Sequence, residues 1–422
     1  MCRTIFRITI SMAIAICLLY PLASSAKGLG KGEPIIIGVP SSLKTLEGTE
    51  GLKAVKLAVE EINAKGGVKV GNQMNPLKVE SIDTRGGEPG VPISDALLAI
   101  EKLFLEKKPH AVVMGPFRSE VLLAAMDLYS KYKMVSINVA MTPKFVSKYK
   151  QDPEKYKYCF RKLNAIYVVG YLRKIMDKLS KDFGFRKVYI VVQDVLWANA
   201  IGGGMKKWFQ KNNWDVLGYD AYPTGSTDFS TTLIKAKKAG AEIILPIFDM
   251  GSSGILVLQW RDMRVPALPV GFISPLMGSK AYKTFGNTID GMVNIVFQAG
   301  NIPLNKYEPA TRFYEAYKKR WGEELQAGHF PALAYDGVYI LADAIKRAGS
   351  IDPDKLIKEL EKTDYPGGSV GRIRFKNHEF IFGEDPQSEA ILVVYQWRKG
   401  RRVPVFPESI AEAPIIKPSW MK

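Results

Sequence analysis

Short runs rich in Val and Ile alternate with segments of three- and four-residue apolar spacing along most of this chain. Alternation of that kind specifies an α/β fold, with a parallel sheet covered by helices on both faces. In the first set, strands are predicted at 35–39, 77–82, 111–114 and 134–138, and helices at 50–63, 93–105 and 119–132. The helix at 50–63 places Leu52, Val55, Val59 and Ile62 on one face, and Gly66-Gly67 stops it. A second set opens after the Lys-, Tyr- and Pro-rich stretch 148–158. It has strands at 188–192, 216–219, 242–247 and 268–272, and helices at 167–179, 203–211, 229–239 and 253–261. Beyond residue 293 come one strand, helices at 308–321, 332–348 and 353–361, and a strand-rich tail at 371–375 and 390–397. The pattern divides into two α/β lobes.

The N-terminus bears on compartment. Arg3 and Arg7 precede a mostly apolar run from Ile8 to Leu19; Pro21 breaks it, and Ser24-Ser25-Ala26 has the small-x-small form of a cleavage site. The run is too short to span a bilayer, so residues 1–26 are expected to be a secretory signal peptide and the protein periplasmic or otherwise extracytoplasmic. A lipoprotein signal needs a small residue before the cysteine, and Ile16 precedes Cys17. Cleavage would remove Cys2 and Cys17 and leave Cys159 without a disulfide partner.

The composition, 47% apolar and 24% charged, is that of a globular protein, and the formal charge is +17. Cleavage would remove two arginines and no acids, leaving 57 basic against 42 acidic residues, or +15. Export and the lack of aromatic–basic interleaving argue against a nucleic-acid partner. Catalytic signatures are scarce. His110, His329 and His378 have no zinc-ligand spacing, and neither a nucleophile elbow nor a phosphate-cradling loop occurs. The first strand runs into Gly38-Val39-Pro40-Ser41-Ser42 rather than a dinucleotide-binding turn. No catalytic residue, metal or cofactor is expected, and the chain reads as a non-enzyme.

Binding chemistry is better represented. In open α/β sheets, ligands sit beyond the carboxyl ends of the strands. Three such ends carry hydroxyls: Ser41-Ser42, the stretch 115–119 (GPFRS), and the stretch 138–142 (NVAMT). The helix starts nearby offer unpaired N–H groups that favour a carboxylate. Ser119 is placed to cap the helix it opens, and Arg118 could supply a counter-charge.

The stretch 58–68 (AVEEINAKGGV) resembles the first-helix motif of periplasmic solute-binding proteins of the branched-chain amino-acid (leucine-binding) family. The stretches 113–116 (VMGP), 225–230 (GSTDFS) and 334–338 (AYDGV) follow in that family's order. The resemblance implies a type I periplasmic-binding-protein fold, with two Rossmann-like lobes, parallel-rich sheets, a three-crossover hinge and a ligand cleft between the lobes. Lobe 1 would comprise 33–160 and 295–385, lobe 2 161–294 and 386–405, and 406–422 a C-terminal tail. The implied protein is a monomer that captures a small carboxylate-bearing ligand by lobe closure and hands it to the membrane permease of an ATP-driven importer. A sensor of the same fold that reports to a signalling partner is the alternative. By resemblance, the carboxylate falls to Arg118, Ser119, Val139, Ala140 and Thr142, with Trp197 and Phe248 as aromatic walls from lobe 2. One departure matters. Where amino-acid binders place an acid for the ammonium, this chain has Phe272-Ile273-Ser274-Pro275. Asp249 could stand in, or it could be a solvated turn residue. The expected ligand is therefore an aromatic or branched aliphatic acid, or a branched-chain or other amino acid, with Ser41, Ser42 and Ser274 as further contacts.

Overall fold

The computed structural model describes residues 29–418 and 421, so the expected signal peptide lies outside the described residues. Two sheets organise the chain. The first runs, edge to edge, Asp364–Tyr365, Ile373–Lys376, Glu379–Phe380, Cys159–Arg161, Ser136–Asn138, Ala111–Met114, Ile35–Ser41 and Leu77–Asp83. Its five strands between residues 35 and 161 are parallel, in registers such as Ile35 on Leu77 and Met114 on Asn138. The second runs Arg401–Phe406, Val393–Arg398, Val293–Val296, Leu268–Ile273, Ile243–Phe248, Lys187–Gln193 and Asp215–Tyr222. It is parallel except at Val393–Arg398, which lies antiparallel to both neighbours. Buried Val, Ile and Leu fill the central strands of both sheets, as strands covered on two faces require.

The chain passes between the sheets three times. It leaves the first after Arg161 and enters the second at Lys187, returns between Val296 and Asp364, and crosses again between Phe380 and Val393. Val293–Val296, which straddles the expected lobe boundary at 295, pairs wholly within the second sheet. Beyond Phe406 the chain folds back along the second lobe, where the Gln396 amide donates to the Ile416 carbonyl and accepts from its N–H (2.7 and 3.1 Å).

The sequence motifs have local physical roles. Thr45 caps the helix Leu46–Ala64 through a bond from the Gly48 N–H (3.1 Å), worth about 1 kcal/mol. Asn63, near the end of that helix, donates to and accepts from the backbone of Leu77, fixing helix to strand. Asp336, in the AYDGV stretch, accepts from the Ser369 and Val370 N–H groups inside the core. Gly115 has φ +45°, and a Cβ there would sit 2.0 Å from the Asn138 side chain, so this turn admits no larger residue.

Two helices start a turn or more earlier than predicted, the first at Leu46 rather than 50. The helix predicted from 203 begins at Leu196, so Gly202-Gly203-Gly204 lies within it. A Cβ on Gly202 would come 2.7 Å from Val192 on the sheet below. The glycine's poor helix propensity is offset by close helix–sheet contact, which propensity alone does not reveal.

Candidate functional site

A cavity of about 450 Å³ lies between the lobes, walled by loops from the carboxyl ends of strands in both sheets. The first lobe contributes Thr45, Leu46 and Glu47 at the start of the first helix, Gly87 and Pro89, and Phe117-Arg118 beyond the strand Ala111–Met114. From the second lobe come Thr224-Gly225, the stretch 249–252 and Ser274-Pro275.

Opposite charges meet across this cavity. The Arg118 guanidinium donates to Asp249 Oδ2 at 2.7 Å, with the side chains only 12% and 3% exposed. The Trp197 indole N–H donates to the same oxygen at 3.0 Å. Gln193 Oε1 accepts from the N–H groups of Asp249 and Met250, holding the loop that carries the carboxylate. Asp249 is therefore a fixed cleft residue rather than a solvated turn residue. Beside it, the Ser274 hydroxyl donates to Glu47 Oε1 at 2.5 Å, again from one lobe to the other. Burial is the main cause that pushes the Glu47 carboxyl up to about 7; the bond from Ser274 opposes the shift and the charge of Asp249 adds to it.

An aromatic floor lies under these groups. Trp197 meets Phe272 and Phe297 edge-on, with centroids 5.9 Å apart in each case, and Phe272 stacks on Phe297 at 4.1 Å. His329 sits among Phe117, Phe272, Phe297 and Phe330, its Nδ1 3.8 Å from Glu47 Oε1. Burial, with the nearby Arg118 charge, holds the imidazole down to about 4 against the opposing pull of Asp249, so it is neutral at pH 7.

Of the residues singled out from sequence, Arg118, Trp197, Asp249 and Ser274 come together here. The others take different positions. Ser42 Oγ accepts from the N–H of Gly87, which makes it a brace behind the wall. The Ser41 hydroxyl is buried, with no hydrogen-bond partner among the described residues. Ser119 is the first helical residue rather than the cap; Arg118 occupies the cap position, and its side chain makes no capping bond. Val139 and Ala140 are buried, Thr142 Oγ1 accepts from the Lys144 N–H, and the Thr142 carbonyl accepts from the buried Arg161. This loop turns its side chains into the lobe and does not line the cavity. Phe248 is wholly buried against Phe229 at 5.5 Å. Sequence reasoning missed Glu47 and His329. Glu47 precedes the helix as predicted from residue 50, whereas the helix in fact begins at Leu46 and carries Glu47 in its first turn. The one available signal was that this helix starts at the carboxyl end of the first strand.

Among the described residues, no cluster of His, Cys, Asp and Glu could hold a metal ion. No described helix is long and apolar enough to cross a membrane.

Two lobes of parallel-rich α/β structure, with a charged cleft at facing strand ends, define the type I periplasmic-binding-protein class. A family model described as "Periplasmic binding protein" matches residues 36–401, and the chain belongs to that family, whose members are solute-binding receptors rather than enzymes. Among curated relatives, Leu/Ile/Val-binding protein homolog 7 of Brucella suis is 23% identical over 388 residues, covering 88% of this chain and 90% of the relative. Leu/Ile/Val-binding protein homolog 8 of Brucella abortus is 21% identical over 371 residues, covering 87% and 88%. Solved structures share the fold. The branched-chain amino acid transporter substrate-binding protein LivJ from Streptococcus pneumoniae, in complex with isoleucine, superposes with a TM-score of 0.70 at 21% identity, covering 92% of this chain and 100% of that one. The leucine-binding protein LivK from Thermotoga maritima gives 0.70 at 20% identity, covering 88% and 97%.

Proposed function

We propose that this protein is an extracytoplasmic receptor that captures a small zwitterion, an α-amino acid foremost, by closing its lobes, and delivers it to an ABC importer. The observation that carries this reading is the Arg118–Asp249 pair bridging the cavity, with Glu47 beside it. A ligand carboxylate that takes Arg118 strips Asp249 of its counter-ion. A ligand bearing only a carboxylate would leave Asp249 buried with the Trp197 N–H and no cation, and an unpaired buried charge costs several kcal/mol. An ammonium on the same ligand restores the balance. The acid missing from 272–275 is then supplied by Asp249 and, from the opposite lobe, Glu47. The names of the relatives and of the solved structures, which refer to Leu/Ile/Val and branched-chain amino acids, support the same substrate class.

The test is a thermal-shift panel on protein stripped of carried-over ligand by partial unfolding and refolding. Branched-chain and other amino acids are set against their 2-oxo acids and against amines lacking the carboxylate. Ligand at about 100 times its dissociation constant adds roughly 2.7 kcal/mol, a rise of several degrees in Tm. Amino acids alone should give that rise, and an equal shift with 2-oxo acids would refute the zwitterion. Delivery is tested by uptake into proteoliposomes that hold a candidate branched-chain amino-acid permease and its ATPase. Uptake should require the receptor.

A further inference from the structure

A second, larger cavity, about 640 Å³, lies on the second lobe away from the cleft. Its walls come from the end of the helix Gly254–Asp262, the turn between Val393–Arg398 and Arg401–Phe406, and the returning C-terminal segment. Val393–Arg398 is antiparallel to Val293–Val296, so this turn sits at the amino end of the parallel strands, opposite the cleft.

Its charge is one-sided. Among the described residues, Arg261, Arg398, Lys399, Arg401 and Lys417 line it, against a single carboxylate, Asp290. Asp290 is engaged by the Tyr282 hydroxyl at 3.4 Å. Arg398 donates to Gln396 and to the Pro414 carbonyl, and Lys417 lies 5.7 Å from the Phe183 ring. Among the described residues, none of Arg398, Lys399, Arg401 and Lys417 forms an ion pair. The flank is apolar: Val403 and Pro418 line it, and Ile416 leaves 48% of its surface exposed.

We propose that this pocket docks the phosphate-bearing headgroup of an anionic phospholipid, and so holds the receptor at the membrane surface with its cleft clear of the bilayer. Four unpaired cations in one concave site match a phosphodiester. The exposed Ile416 beside them favours a lipid over free phosphate, which gains nothing from an apolar neighbour. The inference rests on this surface alone and is independent of the ligand assigned to the cleft.

The test is flotation of the intact protein with phosphatidylcholine vesicles, with and without phosphatidylglycerol, at physiological salt. The variant combines Lys399→Glu, Arg401→Glu and Lys417→Glu, all at exposed positions. A control combines Lys207→Glu, Lys211→Glu and Lys238→Glu, which make the same charge change elsewhere on the lobe. The parent should float only with phosphatidylglycerol, the pocket variant should lose about a hundredfold in partitioning, and the control should lose far less. Equal losses in the two variants would reduce the effect to diffuse attraction and overturn the site. Calorimetric binding of inorganic phosphate or glycerol phosphate without flotation would overturn the lipid assignment. Absence of flotation with every vesicle would do so as well, and would leave the basic surface to an acidic protein.

Discussion

The two ends of the second lobe's sheet handle charge in opposite ways. At the carboxyl end, Asp249 meets Arg118 from the other lobe, and Ser274 meets Glu47. At the amino end, Arg398, Lys399, Arg401 and Lys417 gather around one carboxylate among the described residues and have no facing lobe. A balanced site selects for a guest that carries both signs, because a guest with one sign orphans a buried partner. An unbalanced site in contact with solvent asks only for the opposite sign and is weakened by salt.

The largest effect should come from unbalancing the cleft. Arg118→Ala or Asp249→Ala should each cost about 4 kcal/mol in ligand affinity, because each leaves the ligand's own carboxylate or ammonium buried without its counter-charge. Titration calorimetry showing an unchanged Kd for either variant would end the proposal that the pair is the recognition element. The double replacement Arg118→Met with Asp249→Leu sharpens the point. It should keep the Tm of the unliganded protein near that of the parent while still abolishing binding.

Glu47 comes next, with a pH signature. Its folded-state pKa, about 7, lies above the ordinary value of 4.5, so the stability lent by its protonated form is complete below about 4.5 and is lost as pH rises through 7. Glu47→Gln should therefore be more stable than the parent above pH 7 by about 3 kcal/mol, with the gap closing near pH 4.5. Asp336, which is also raised, remains in both proteins and cancels from the difference, whereas Glu50, whose charge raises Glu47, is relieved in the variant and adds to the gap at high pH. Paired melts across pH 4.5–8 measure it, and a constant gap would refute the assignment. Amino-acid affinity should move the other way, falling in the variant and, in the parent, as pH drops below 7.

The smallest effect belongs to Trp197. Trp197→Phe keeps an aromatic ring against Phe272 and Phe297 but removes the N–H bond to Asp249, a loss of about 2 kcal/mol in affinity. It should also remove most of the change in tryptophan fluorescence on ligand binding. A signal preserved in the variant would place the responding indole elsewhere.

The lobes and the order of elements were legible because apolar periodicity is a local property, and the strands and helices at 35–132 follow it closely. Arg118 was legible because strand-end loops face a cleft in this architecture; Trp197, Asp249 and Ser274 came into view only through the family resemblance. Glu47 was not, since its partner Ser274 is 227 residues away and belongs to the other lobe. The loop 139–142, assigned by resemblance, stands off the cavity for a related reason. Its hydroxyl and small side chains suit a ligand, but Arg161, also distant in sequence, takes the Thr142 carbonyl and draws the loop inward. Which way a loop faces depends on the charges behind it, and periodicity does not carry that information.

The three passages of the chain between the sheets have a mechanical consequence. Two bodies joined by one tether can tumble freely, and two tethers still allow a twist. Three tethers restrain the lobes against twist and shear and leave bending as the softest relative motion. In the proposed receptor cycle, opening would then separate Arg118 from Asp249 and Glu47 from Ser274 in a single stroke, and closing would return each pair to register without a search.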